Sequence, residues 1–164
     1  MIRQYGFGLL LLPLCAYFAA GIEDYNATGW IGFLVHSMNL LPHEAGHFFF
    51  RFFGEFMMFA GGSLLQLILP GLIAWSCFRY DQRIGTQIAL FWLGQNFVDV
   101  SIYAADAQNR SLPLLGGLGP ESHDWYNILM MAGLLEFTPL IAGAIYFFAF
   151  PCWLLMLVVP RWVW

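Results

Sequence analysis

Nineteen consecutive residues, Gln4–Ile22, carry no charge, and apolar runs of similar character recur along most of the chain. A helix needs about 20 apolar residues to cross the hydrocarbon of a bilayer, so runs of this length constrain the fold more than any local motif does. Composition agrees: of 164 residues, 60% are hydrophobic and only 10% are charged, against roughly a quarter charged in soluble domains. An ordinary soluble globule is excluded. Arg supplies all six basic residues, and the formal net charge is −4, so nucleic acid is not an expected partner, whereas the lipid bilayer is. Cys15, Cys77 and Cys152 stand singly in apolar segments without Cys-x-x-Cys spacing and read as packing residues.

The first run follows Arg3 and closes at Glu23. It is longer than a signal-peptide core, and the bulky Leu14 before Cys15 does not suit lipoprotein cleavage, so a retained membrane anchor is expected. The second run extends from Tyr25 to Phe53, interrupted by Pro42, Glu44 and Arg51. Pro42 either bends one helix or opens a fresh one, and on both readings residues 43–53 are helical. Gly54 is a plausible stop, and Glu55–Ala60, ending in Gly61-Gly62, is expected as a short extended edge segment. Ser63 would cap the next helix, which runs to Phe78 through Pro70; Arg79, Asp81 and Arg83 then mark a water-facing turn. Beyond Ile84 the spacing of Gln95, Asp99, Tyr103 and Asp106, with Asn96 beside them, places polar groups on one helical stripe.

Residues 107–123 contain Pro113, Gly116, Gly117, Gly119 and Pro120 and read as a loop that dips into the protein. A helix is expected from Asp124-Trp125 past Glu136 and Pro139 to Phe150, with Pro151 opening a final apolar segment. Trp30, Trp125, Trp153, Trp162 and Trp164 fall near proposed span ends, where indole rings suit the membrane interface. The fold class is therefore an all-α polytopic membrane protein with five or six transmembrane segments and one short extended edge. Residues 1–164 are expected to form a single membrane domain, multi-pass, in the cell (inner) membrane.

His43-Glu44-Ala45-Gly46-His47 matches His-Glu-x-x-His. On a helix the two histidines, at i and i+4, project from one face as a chelating pair, and Glu44, to the side, is the candidate catalytic base for a metal-bound water. Placing these groups in an apolar helix costs about 2 kcal/mol or more per charged group unless partners offset it, and a metal would do so. The plainer alternative has both imidazoles hydrogen-bonded to neighbouring carbonyls and Glu44 either paired with Arg51 or facing an interface. Catalytic zinc usually takes three protein ligands and leaves one position for water. Asp124, after the loop and at a helix start, is favoured as the third ligand over His123, Asp106 and Asp99. Its competing role is as a helix N-cap. Asp99 and Asp106 could instead orient the imidazoles.

From His43 to about Asp124 the chain resembles the site-2 protease family of intramembrane zinc metalloproteases, in particular its small, divergent branch. The shared pattern is a His-Glu-x-x-His helix, a short stretch ending at glycines, a further transmembrane helix, and an aspartate at the start of a later helix after a Gly/Pro-containing loop. The resemblance implies His43, His47 and Asp124 as zinc ligands, Glu44 as catalytic base, and a transmembrane protein as substrate. Residues Glu55–Ala60 would pair with the locally unwound substrate. The family's Leu-Asp-Gly is replaced here by His123-Asp124-Trp125, and its Asn/Pro-rich approach by Leu112-Pro113-Leu114-Leu115-Gly116-Gly117. Two other function classes fit the same residues: a non-catalytic metal-binding membrane scaffold or assembly partner, and a zinc-dependent lipid-amide hydrolase.

Overall fold

A computed structural model describes residues 2–21 and 29–159, with side chains from residue 7 onward. Arg3's side chain, Glu23, Tyr25, Trp162 and Trp164 lie outside what is described. Among the described residues the chain is all-α: α1 (Ile2–Ala20), α2 (Gly29–Phe50), α3 (Glu55–Arg79), α4 (Arg83–Ala105), α5 (Asp124–Ala132), α6 (Thr138–Phe147) and α7 (Ala149–Val158), with short 3-10 turns between some of them. Among the described residues, three stretches are long and apolar enough to cross a membrane: Glu55–Arg79, Arg83–Ala105 and Leu135–Val158. Phe7–Ala20 is a shorter apolar helix. Large apolar side chains such as Leu10, Leu72, Trp75, Leu140 and Leu154 face outward, the kind of surface a membrane-embedded helical protein presents.

Pro42 lies within the continuous helix α2. The helix ends in a 3-10 turn, Arg51–Phe53, and reverses at Gly54, whose φ of 100° favours a residue without Cβ. The Gly54 carbonyl then accepts from the Met58 N–H at 2.9 Å, so helix α3 begins at once. Residues 55–60, expected as an extended edge, are its first turns. Glu55 in that first turn suits the positive end of the helix dipole. The glycines that suggested a stop serve packing instead. Helices α2 and α3 form an antiparallel hairpin, with His47 opposite Met58 and His43 opposite Gly62 and Gln66. At the crossing a Cβ on Gly46 would run into the Gly61 carbonyl, and one on Gly61 would come within 2.6 Å of the Phe50 Cβ. Ser63, expected as a cap, lies inside α3, where its Oγ accepts from the Trp125 indole N–H at 3.1 Å.

Helix α4 is the hub, packed against α1, α3, α6 and α7. Because protein surrounds it, it can carry buried Gln87, Gln95, Asn96, Asp99 and Ser101 where a lipid-facing helix could not. The expected polar stripe is present, with Asp106 as the C-cap. On the other side of α4, Leu90 and Val98 pack with Cys15, Ala74, Trp153 and Met156 in the apolar core. Cys15, Cys77 and Cys152 are all free.

The helix expected from Asp124 to Phe150 is broken. Gly133, at φ 68°, ends α5, and the Leu134 N–H reaches back to the Leu129 carbonyl at 2.8 Å, a Schellman closure. Helices α6 and α7 meet at Phe148, and Pro151 sits in the first turn of α7, where a missing N–H costs little.

The close crossing makes a clean test. Gly46→Ala should destabilise the purified protein by about 1–3 kcal/mol through overpacking, read as a lower thermal midpoint of helical circular dichroism. Gly71→Ala, on α3 with nothing within 4 Å of its would-be Cβ, should be neutral or stabilising by up to about 1 kcal/mol.

Candidate metal centre

Helix α2 turns His36, His43 and His47 towards α3, α4 and the start of α5. The His43 Nε2 lies 2.9 Å from Asp124 Oδ2, and the His47 Nε2 lies 3.3 Å from the same oxygen. Ligand atoms of these three residues all fall within 4.8 Å of one another. His43 and Asp124 are each 5% exposed, whereas His47 is partly exposed.

What lies behind each imidazole decides the chemistry. The His43 Nδ1 is 3.0 Å from Gln66 Oε1, and the His47 Nδ1 is 2.8 Å from the Met58 carbonyl oxygen. Both partners only accept, so in each neutral ring the hydrogen sits on Nδ1 and the Nε2 lone pair faces inward. Two lone pairs then meet a carboxylate oxygen, and a positive charge between them relieves the contact, either a proton on an Nε2, which makes an imidazolium–carboxylate pair, or a bound cation. Three ligands of the His/His/carboxylate type suit a divalent ion. Gly62 lies directly against the His43 ring: a Cβ there would be 2.6 Å from Nε2.

Asp124 is free to point at the imidazoles because it is not the N-cap. His123 caps α5 in its place, its Nδ1 accepting from the Tyr126 N–H at 3.2 Å. This assignment turns His123 away from the centre: its Nε2 lies 3.4 Å from Asp106 Oδ2, and its ring packs on Tyr103 with centroids 4.4 Å apart. Burial holds His123 below the usual histidine range. Asp106 accepts from the Ser111 N–H and Oγ and from the Leu112 N–H at 2.6–3.0 Å. Burial opposes its ionisation, but these donors outweigh it and hold the carboxyl below its ordinary range. Asp106 and His123 thus brace the loop that delivers Asp124. Tyr103 adds a direct clamp: its hydroxyl donates to Asp124 Oδ2 at 3.3 Å and accepts from the Asp124 N–H at 3.0 Å.

Asp99, the remaining ligand candidate, is held elsewhere. It takes His36 Nδ1 at 2.9 Å, Asn39 Nδ2 at 3.2 Å and Gln66 Nε2 at 2.7 Å. Glu44 is exposed and lines, with His43, His47 and Asp124, a cavity of about 790 Å³. It forms no ion pair with Arg51, whose guanidinium stacks on Phe48 and Phe52 at 4.4 and 4.9 Å. Much of the remaining wall is apolar, including Trp30, Phe33, Met58, Phe59 and Leu114. The loop is only partly buried: Ala107 and His123 are enclosed, while Leu115–Leu118 is exposed.

No family model matches this chain, and comparison with curated proteins and with solved structures gives no match either. The assignment of the centre therefore stands on its geometry. Sequence reasoning missed His36 and Asn39 as contributors. Their signal was present: His36, Asn39 and His43 lie at helical spacing on α2, one face of which carries polar side chains in an otherwise apolar run.

The ligand set predicts a binding pattern. The wild type and Asp106→Asn should each take up one equivalent of Co2+, seen in visible absorption. His43→Ala, His47→Ala and Asp124→Ala should take up none at the concentration that saturates the wild type. Binding should weaken as the pH falls below about 6.5, because the ion and the proton compete for the same imidazole nitrogens.

Proposed function

We propose that this chain is a metal-binding membrane protein and that its centre is hydrolytic, an intramembrane metallopeptidase acting on membrane-embedded protein substrates with zinc as the ion. The carrying observation is the meeting of the His43 and His47 Nε2 atoms with Asp124 Oδ2 beside a cavity that Glu44 also lines. The metal-binding part of the reading rests on that geometry directly. The peptide-bond part rests on His-Glu-x-x-His and on the resemblance to site-2 proteases.

His43, His47 and Asp124 would hold the ion. Bound there, a divalent cation supplies Lewis acidity, polarising a carbonyl and acidifying water. Glu44, exposed to the cavity, takes the proton that water loses on attack and returns it to the leaving amine. Gln66 and the Met58 carbonyl hold the two imidazoles in their binding tautomers, and Tyr103 holds the Asp124 carboxylate. The apolar wall limits bulk water and accepts a hydrophobic substrate.

A second reading, hydrolysis of a lipid amide, is favoured by one specific observation. Residues 55–60 are helical, so they offer no strand edge to pair with an unwound peptide, while the cavity wall suits an acyl chain. The non-catalytic metal-binding scaffold needs only the three ligands, and it is the reading that their geometry supports most directly. It would be strengthened by a fourth protein ligand, a part that His123, turned towards Asp106, does not take.

The test pairs metal analysis with turnover of transmembrane peptides and of long-chain N-acyl amides. Glu44→Gln should retain one equivalent of metal and lose turnover by about 10²–10⁴-fold. Full activity in that variant rejects Glu44 as the base. A metal-loaded wild type that cleaves neither substrate leaves the scaffold reading standing.

A further inference from the structure

We propose that Asp99 is a positioning residue for the metal centre, acting through Gln66 to decide which nitrogen of His43 can meet a cation. The inference rests on the reading of His43 as a ligand.

Gln66 is 3% exposed and sits between Asp99 and His43. Its amide has a donor end and an acceptor end, and the two possible orientations have opposite consequences for the imidazole. Asp99 selects one. Its Oδ2 accepts from Gln66 Nε2 at 2.7 Å, which turns Gln66 Oε1 to the His43 Nδ1 at 3.0 Å. The ring hydrogen must then occupy Nδ1, leaving Nε2 bare on the side of Asp124. With the amide reversed, its NH2 would face Nδ1, and the hydrogen of a neutral ring would move to Nε2, the ligand atom.

Asp99 is held in turn by groups whose polarity has no alternative. The Trp92 indole N–H can only donate, and it gives its hydrogen to Asn39 Oδ1 at 2.8 Å. Asn39 Nδ2 is thereby turned to Gln95 Oε1 at 2.9 Å and to Asp99 Oδ2 at 3.2 Å. His36, which lines the cavity, meets the other carboxylate oxygen at 2.9 Å. These groups on α2 and α4 fix the Asp99 carboxylate in place, and the polarity that reaches the ligand starts at that carboxylate, which can only accept, and passes through Gln66 on α3. His47 needs no such chain, because a backbone carbonyl fixes its tautomer. The two histidines of the motif are therefore unequal, and only His43 depends on distant side chains.

The experiment uses the full chain purified in detergent, with Co2+ as the probe ion and 15N-histidine spectra of the metal-free protein reporting tautomers. Asp99→Leu removes the acceptor and leaves neither orientation of the Gln66 amide selected. It should weaken Co2+ binding about 10–100-fold and move one histidine away from the Nδ1–H tautomer. Combining Asp99→Leu with Gln66→Glu reinstates the polarity at the imidazole, since a carboxylate at 66 accepts from His43 Nδ1 whichever way it turns, and should recover most of the affinity and the original tautomer. Unchanged affinity and tautomer in Asp99→Leu overturns the proposal. So does a double variant that folds with full helical content yet binds no better than the single one. Should Asp99→Leu fail to fold, Gln66→Met carries the same test by leaving Nδ1 without its acceptor: mixed His43 tautomers support the proposal, and a pure Nδ1–H form overturns it. A wild type that binds no Co2+ would sink the metal reading, whereas the tautomer measurement would still judge Asp99.

Discussion

Two imidazoles, each with its Nδ1 against an acceptor on the far side of the ring, turn their Nε2 atoms towards one carboxylate oxygen, with His43 and Asp124 buried and His47 partly exposed. Lone pairs repel lone pairs, and a low-dielectric surround magnifies the repulsion. Only a positive charge among them makes the arrangement favourable. The surrounding structure maintains it from several directions: a backbone carbonyl behind His47, a glutamine behind His43, and a tyrosine hydroxyl on Asp124. This is the reason to regard the group as a cation site and not as three polar residues that happen to touch.

Backbone proximity makes the site possible. Gly46 and Gly61 let α2 and α3 approach until the carbonyl of one lies against the Cα of the other, and Gly62 leaves room for the His43 ring. At the ordinary helix separation of about 8–10 Å set by larger side chains, the Met58 carbonyl and Gln66 would stand farther from the imidazoles they now orient. Small residues at helix crossings are the usual means of close packing in apolar surroundings, where van der Waals contact takes over from the hydrophobic effect. Here the same device also brings the His43 and His47 imidazoles against their partners on α3.

The hub position of α4 explains a second feature. Buried polar groups are tolerated in an apolar environment only where every member finds a partner. Asp99, Gln95 and Asn39 meet that condition by bonding to one another and to Gln66, His36 and Trp92. These six side chains are thus one connected set that reaches the His43 imidazole through Gln66. Beside it, Asp106 and His123 organise the loop from which Asp124 emerges.

Much of this was legible in the amino-acid order. Long uncharged runs imply helices with apolar exteriors, since a backbone deprived of water must satisfy its own hydrogen bonds. The i, i+4 spacing of His43 and His47 puts both on one helix face whatever surrounds them, and Asp124, at a helix start after a Gly/Pro-containing loop, lies with them in a cluster that could hold an ion. Periodicity along the chain carries these inferences because they depend on local geometry alone. What local geometry cannot carry is the partner across a helix crossing. Gly61-Gly62 reads as a stop when only neighbours in sequence are considered, yet the gain from close packing against α2 keeps the helix going through it. Asp124 and His123 are adjacent and both suited to cap or to ligate; Asp106, seventeen residues earlier, draws His123 away and leaves Asp124 for the imidazoles. Chain order determined which chemical groups are present and which helix face bears them. Tertiary structure alone decided which nitrogen, which carboxylate and which amide end face each other, because hydrogen-bond polarity is settled between segments distant in sequence.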